Sequence, residues 1–232
     1  MKTIEEITKY YGPQLAKGAF ELGAIRLSPK DPFTWASGYR MPIYNDNRQF
    51  LAKASYRALI CDAFSDMLEA LQFNPDNIAG TSTAGIPHAT TLADRLHKPL
   101  SYVRSSNKDH GLGNQIEGLG KNGSYEGKKV VLIEDLISTG KSSLQAVDAI
   151  IKANGDVPYC LAIFTYGLDA ATQAFEKVEP KCEPFTILSY PVMIQTAVEV
   201  GYISDADAAT LHEWREDPFA WGENHGFSKV ER

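Results

Sequence analysis

The stretch Val130-Val131-Leu132-Ile133-Glu134-Asp135-Leu136-Ile137-Ser138-Thr139-Gly140-Lys141-Ser142-Ser143 decides how the rest of the chain is read. The unbroken apolar run Val130–Ile133 suits a strand buried on both faces, the kind found in parallel sheets covered by helices. Two adjacent carboxylates follow, then a Ser/Thr/Gly turn. A helix comes next, with Leu144, Val147 and Ile151 on one face and Gly155 just past its end. Free backbone N–H groups and hydroxyls at a helix start form a cradle for phosphate, helped by the helix dipole. The acids upstream cannot bind that phosphate, but they suit hydrogen bonds from sugar hydroxyls. A phosphate site next to a diol site describes a pocket for a ribose 5-phosphate.

Two other readings of this stretch are testable on the residues. Gly140-Lys141-Ser142 is similar to the end of a P-loop, but that motif needs a glycine where Asp135 stands. Helix capping by Ser138 or Thr139 explains the hydroxyls. It does not explain two carboxylates emerging from a buried strand, which cost solvation unless they have partners.

Working outward, strands and helices alternate. Asn77–Gly80 reads as a strand ending in a Gly/Thr/Ser loop, Pro87–Leu96 as a helix and Leu100–Val103 as a strand. Cys160–Phe164 is another strand, 169–178 a helix and Phe185–Leu188 a last strand. This order predicts an α/β fold with a parallel sheet and right-handed crossovers. Ligands in such sheets sit beyond the carboxyl ends of the strands, which directs attention to the loops after Gly80, Val103, Ile133 and Phe164. Before the alternation, Ile4, Ile7, Tyr11, Leu15 and Phe20 mark a helix over 3–23. Pro29, Pro32 and Pro42 break up 28–48, leaving short extended pieces at 34–36 and 41–44. A helix from Leu51 to Leu71 is stopped by Asn74-Pro75-Asp76. Residues 105–127, rich in Ser, Asn, Gly and charge, stand outside the alternation and read either as an active-site lid or as a surface insertion.

The 232 residues allow one domain, or one plus a small lobe. A content of 44% hydrophobic and 22% charged residues excludes a disordered chain. The net charge of −6 argues against a general nucleic-acid binder. No run approaches the ~20 apolar residues of a membrane span, and no apolar signal core follows Met1-Lys2-Thr3. Three widely spaced cysteines, Cys61, Cys160 and Cys182, fit a reducing cytosol better than a disulfide framework or a zinc site. The expected location is therefore cytoplasmic.

Segment 130–143 resembles the phosphoribosyl pyrophosphate (PRPP) signature of the type I phosphoribosyltransferases. Three further stretches resemble the orotate-using branch of that family. They are Phe33-Thr34-Trp35-Ala36-Ser37-Gly38 with Pro42-Ile43-Tyr44-Asn45-Asp46-Asn47-Arg48; Gly80-Thr81-Ser82-Thr83-Ala84-Gly85-Ile86-Pro87; and Tyr102-Val103-Arg104 with Lys108-Asp109-His110-Gly111. All four occur in the family's order across roughly residues 20–215. The resemblance implies a mostly parallel five-stranded sheet flanked by helices. It also implies a small hood made mainly by 1–50, a core of about 51–190 and a C-terminal helical segment. The implied reaction moves the phosphoribosyl group of PRPP to N1 of orotate in pyrimidine synthesis.

The same resemblance implies roles. Glu134 and Asp135 would hold the ribose, with Asp135 a candidate proton acceptor. Leu136, Ile137, Ser138, Thr139, Gly140, Lys141 and Ser142 would surround the 5′-phosphate. Thr81, Ser82, Thr83 and Ala84 would form the pyrophosphate loop, where small residues allow close backbone approach. Arg104, Lys108 and His110 would meet the leaving pyrophosphate and shut out water; alone they would be a solvated charge cluster. Ser138 and the backbone at Ile43 and Tyr44 would face the base. Magnesium, carried by PRPP rather than by protein ligands, is the expected cofactor, and a homodimer whose 105–120 loop reaches the neighbouring site is the expected assembly. Some family members carry lysine where this chain has Ala36, Ala84 and Ser105, and an arginine after the fourth strand, where Phe164-Thr165-Tyr166-Gly167-Leu168 has none. Arg48 is then the cation for the orotate carboxylate, or it forms a surface salt bridge to Asp46 or a nearby acid.

Two rivals stay in view. A purine-using relative is disfavoured by the Phe33–Arg48 segment. A non-enzymatic PRPP sensor that binds RNA is disfavoured by the acidic balance and the Lys108/His110 loop, so neither nucleic acid nor membrane is an expected partner. Gly118-Leu119-Gly120-Lys121-Asn122-Gly123 matches a dinucleotide fingerprint formally but follows no apolar strand, and reads as loop flexibility. Leu211–Arg232, with Trp214 and Trp221, suggests packing or a subunit contact.

Overall fold

The computed structural model describes residues 2–105 and 115–231. In chain order the elements are α1 (Ile4–Leu22), β1 (Ile25–Leu27), β2 (Phe33–Thr34), β3 (Arg40–Met41), β4 (Ile43–Asn45), a 3-10 turn (Asn47–Ala52) and α2 (Ala54–Ala70). Then come β5 (Asn77–Thr81), α3 (Gly85–Leu96), β6 (Leu100–Val103), β7 (Ile116–Glu117) and β8 (Lys129–Ile137). The remainder is α4 (Lys141–Lys152), β9 (Asp156–Thr165), α5 (Asp169–Glu176), β10 (Glu183–Ser189), α6 (Tyr190–Glu199), α7 (Asp205–Glu216) and α8 (Trp221–Asn224).

The central sheet has the order β10-β9-β8-β5-β6-β7. Its first five members are parallel, as the alternation predicts, and β7 adds a short antiparallel edge to β6. That sixth strand falls in the 105–127 stretch that stands outside the alternation. Beyond it, Tyr125 is buried with its hydroxyl 2.8 Å from that of Ser101. Gly118 has φ +93°, and a Cβ there would lie 2.6 Å from the Leu100 carbonyl. The turn at Gly118 is thus built on close backbone approach to β6, and a short 3-10 turn follows over Gly120–Asn122.

Strand β8 also runs further than its apolar core, passing through both acids to Ile137. The reason is asymmetric pairing. Pairing with β5 stops at Gly80↔Ile133, whereas β9 continues alongside to Ile137↔Thr165. One face of the sheet packs Ile133 and Leu161 with Leu15, Ile60, Phe64 and Leu92 from α1, α2 and α3. The other packs Val130, Leu132 and Cys160 with Ala146, Ile150 and Phe175 from α4 and α5. Each such aliphatic or aromatic side chain contributes about 1.5–3 kcal/mol on burial. All three cysteines are buried free thiols.

Above the carboxyl ends of the strands sits the hood. It consists of the antiparallel β1–β4 pair, the β2–β3 hairpin and the 3-10 turn. The C-terminal helices hold it down. Trp214, 1% exposed, packs against Trp35, Tyr166 and Tyr190, and its indole N–H points to the Met41 sulfur at 3.1 Å. Trp221 is buried too, and the Val230 N–H donates to the Gly38 carbonyl at 2.9 Å. Of the two expectations for this segment, packing describes both tryptophans. Among the described residues, no helix is long and apolar enough to cross a membrane.

Candidate active site

Where the β5 ladder leaves β8, side chains take over its hydrogen bonds. The Thr81 hydroxyl donates to Glu134 Oε1 at 2.7 Å and lies 3.3 Å from the Ile133 carbonyl. Glu134 Oε1 also accepts the Asp135 N–H at 3.0 Å, and Oε2 accepts the Ser143 hydroxyl at 3.2 Å. The Asp135 carbonyl is taken by the carboxamide N–H of Asn47, at 2.7 Å. Gly85 permits this closeness, since a Cβ on it would stand 2.4 Å from the Ile133 carbonyl. Adjacent on a strand, the two acids project to opposite faces. Glu134 is 4% exposed and burial lifts its pKa, against the opposing pull of the Thr81 hydrogen bond. Burial lifts the Asp135 carboxyl as well, opposed by hydrogen bonding and by the Arg48 charge.

Helix α4 begins with Gly140 as its N-cap in the left-handed region, φ +80°, and no side chain caps it. Capping by Ser138 or Thr139 is therefore not the use of those hydroxyls. The first-turn N–H groups have no intrahelical partner, and they open on a cavity of about 600 Å³. Its lining includes Ser138, Thr139, Gly140, Lys141 and Ser142 on the turn, Glu134, Asp135 and Leu136 from β8, and Ser82, Thr83 and Ala84 from the loop after β5. The hood closes the cavity with Asn45, Asp46 and Arg48, and α4 adds Gln145.

Most of the residues singled out in the sequence thus meet around one space. Five do not line it. Ile137 and Thr81 are buried, Thr81 serving Glu134 instead. Arg104 pairs with Glu117 at 3.4 Å. Ile43 is buried, its carbonyl taken by the Trp35 indole, and the Tyr44 ring lies under the Arg26 guanidinium. Lys108 and His110 lie outside the described residues. Arg48 lines the cavity and at the same time donates to Asp46 at 2.5 Å, with 65% of its side chain exposed. Asn45, Asn47, Ser143 and Gln145 carried no role in the sequence reading, and Asp46 only that of a partner for Arg48, because amides and hydroxyls near a motif carry no periodic signal. Arg215 of α7 is another such residue: it donates to the Tyr166 and Gly167 carbonyls at 3.2 and 2.9 Å, bringing a guanidinium to the loop after β9 that lacks an arginine of its own.

The family model for the phosphoribosyl transferase domain matches residues 47–184, and the chain belongs to this family. Within it, the orotate phosphoribosyltransferase of Bacillus caldolyticus is 47% identical over 208 residues, covering 90% of this chain and 98% of that one. The solved orotate phosphoribosyltransferase of Aeropyrum pernix is 25% identical with a TM-score of 0.68, covering 82% of this chain and 99% of that one. The solved UMP synthase of Leishmania donovani superposes with a TM-score of 0.69 at 25% identity over 87% of this chain, which spans 42% of that longer one.

Proposed function

We propose that the chain transfers the phosphoribosyl group of PRPP to N1 of orotate, giving orotidine 5′-monophosphate and pyrophosphate for pyrimidine (UMP) synthesis. The observation that carries this reading is the joining of three features in one cavity: the uncapped, hydroxyl-rich start of α4, the acids at the end of β8 and the Ser82–Ala84 loop. They match a 5′-phosphate, a ribose diol and a pyrophosphate in that order. Family membership and the near-half identity to a protein named for this reaction support it.

Breaking the C1′–O bond leaves positive charge on the ribose and negative charge on pyrophosphate, so the site must stabilise both as they develop. Asp135 accepts from the ribose diol, favours positive charge on the ring and serves as the proton acceptor, a role its burial-raised pKa suits. Glu134 braces the end of β8 from the other face through Thr81 and Ser143. Ser138–Ser142 hold the 5′-phosphate. Lys108 and His110 meet the leaving group, Ser138 faces the base, and Arg48 holds its carboxylate. The oxygen-rich lining, with Asp46 and Asp135, suits a hard cation; magnesium carried on substrate oxygens beside these carboxylates would offset pyrophosphate charge. A cytoplasmic homodimer completes the reading.

Orotidylate formation from PRPP and orotate, followed with and without magnesium, tests it. Uracil, adenine and hypoxanthine serve as competing bases, and turnover of a purine in preference to orotate would overturn it. An unchanged orotate KM in Arg48→Ala would remove Arg48 from the base site.

A further inference from the structure

We infer that Asn47 is a positioning residue, which sets the ribose-holding carboxylate of Asp135 by fixing the peptide on its carboxyl side. Asn47 is 1% exposed, although it begins a short turn of the hood. Its carboxamide N–H donates to the Asp135 carbonyl at 2.7 Å across 88 residues of sequence, and its carboxamide oxygen accepts from Asn45 at 3.2 Å. The Asp135 N–H is held from the other side by Glu134. No β5 backbone reaches this point, because that ladder ends at Ile133. Both polar groups of the Asp135 backbone are therefore fixed by side chains, one from the sheet and one from the hood.

The consequence is a coupling. Asn45 lines the cavity and belongs to β4, whose pairing with β1 anchors the hood. Asn47 transmits the seating of the hood to the backbone that aims Asp135. Asn47 bonds Asn45 and the Asp135 carbonyl, whereas the loop after β5 reaches Asp135 from the other side through Thr81 and Glu134, so loss of Asn47 should damage ribose recognition selectively.

This inference rests on the phosphoribosyl reading of the cavity, and its test separates the two. Ribose 5-phosphate and pyrophosphate are titrated calorimetrically into the full chain, wild type and Asn47→Ala, with kcat measured alongside. The expected result is ribose 5-phosphate affinity and kcat each lower by about 10- to 100-fold, as for a small misplacement of a reacting group, with pyrophosphate affinity unchanged. Equal loss for both ligands, or no loss for either, overturns the positioning role. Failure of the wild type to bind ribose 5-phosphate overturns the cavity reading itself. Asn47→Ser, which keeps a hydroxyl but falls short of the Asp135 carbonyl, is read by the same criteria should the alanine variant not fold.

Discussion

The carboxyl end of β8 and the aromatic cluster around Trp214 both meet the hood, yet they are built on opposite principles. At β8 two successive residues send carboxylates to opposite faces, Glu134 buried and Asp135 half-buried on the cavity, and burial pushes both toward their neutral forms. Around Trp214, rings from β9's exit, the hood and α7 stack edge to face, the Trp214 N–H finds a sulfur and the Trp35 N–H a carbonyl. The first arrangement costs stability and carries the proposed chemistry. The second supplies stability and holds the hood over that chemistry.

The sharpest way to break this contrast is Asp135→Asn. Steady-state assays should show kcat lower by about 1000-fold, or about 4 kcal/mol, while thermal unfolding should show a more stable protein at pH 8. The folded-state pKa of Asp135 is raised, so wild-type stability from this group is whole at low pH and declines as pH rises through that pKa. The Tm advantage of the variant should therefore shrink on acidification. An advantage that grows at low pH would show that the carboxylate is not a stability cost. Next in size, Trp214→Ala should lose about 4 kcal/mol in denaturant unfolding, with no such compensation at any pH.

A third region sharpens the comparison by burying a titratable group away from the cavity. His88 on α3 is buried, and burial with the nearby Arg57 charge lowers its pKa to about 4. Below the ordinary value of 6.5 the unfolded chain takes up a proton that the folded chain refuses. The stability of neutral His88 is thus whole above about pH 6.5 and lost as pH falls toward 4, by about 3 kcal/mol across that window. Unfolding curves of His88→Leu should lack this part of the acid slope. The smallest effect is expected at the turn that opens α4. Gly140→Ala places a Cβ at φ +80°, 3.3 Å from the Phe175 ring, and should cost about 1–2 kcal/mol in unfolding and weaken phosphate binding measured by titration.

The same contrast separates what was legible from what was not. The end of β8 is readable because its message is local: an apolar run, two acids and a glycine turn stand side by side, and each speaks through its own spacing. The five parallel strands follow from the same periodicity. The Trp214 cluster, the β7 edge and the hidden use of Thr81 are unreadable from the chain, since nothing in the neighbourhood of these residues says what they touch. Arg48 shows the mixture within one residue, for the structure gives it a place on the cavity and a bond to Asp46 together.

The amino-acid order by itself determined the α/β layering, the hydroxyl-rich turn at Ser138–Ser142 and the acids beside it, because helix period, strand burial and turn chemistry act over a few residues. Only the tertiary structure decided that Asn47 closes on Asp135, that Glu134 faces inward to Thr81 and Ser143, and that Trp214 reaches Met41 across 173 residues. Those contacts arise from where β5 stops and β9 continues, and from how the hood settles on the sheet. They are outcomes of packing between distant segments, which no local pattern encodes.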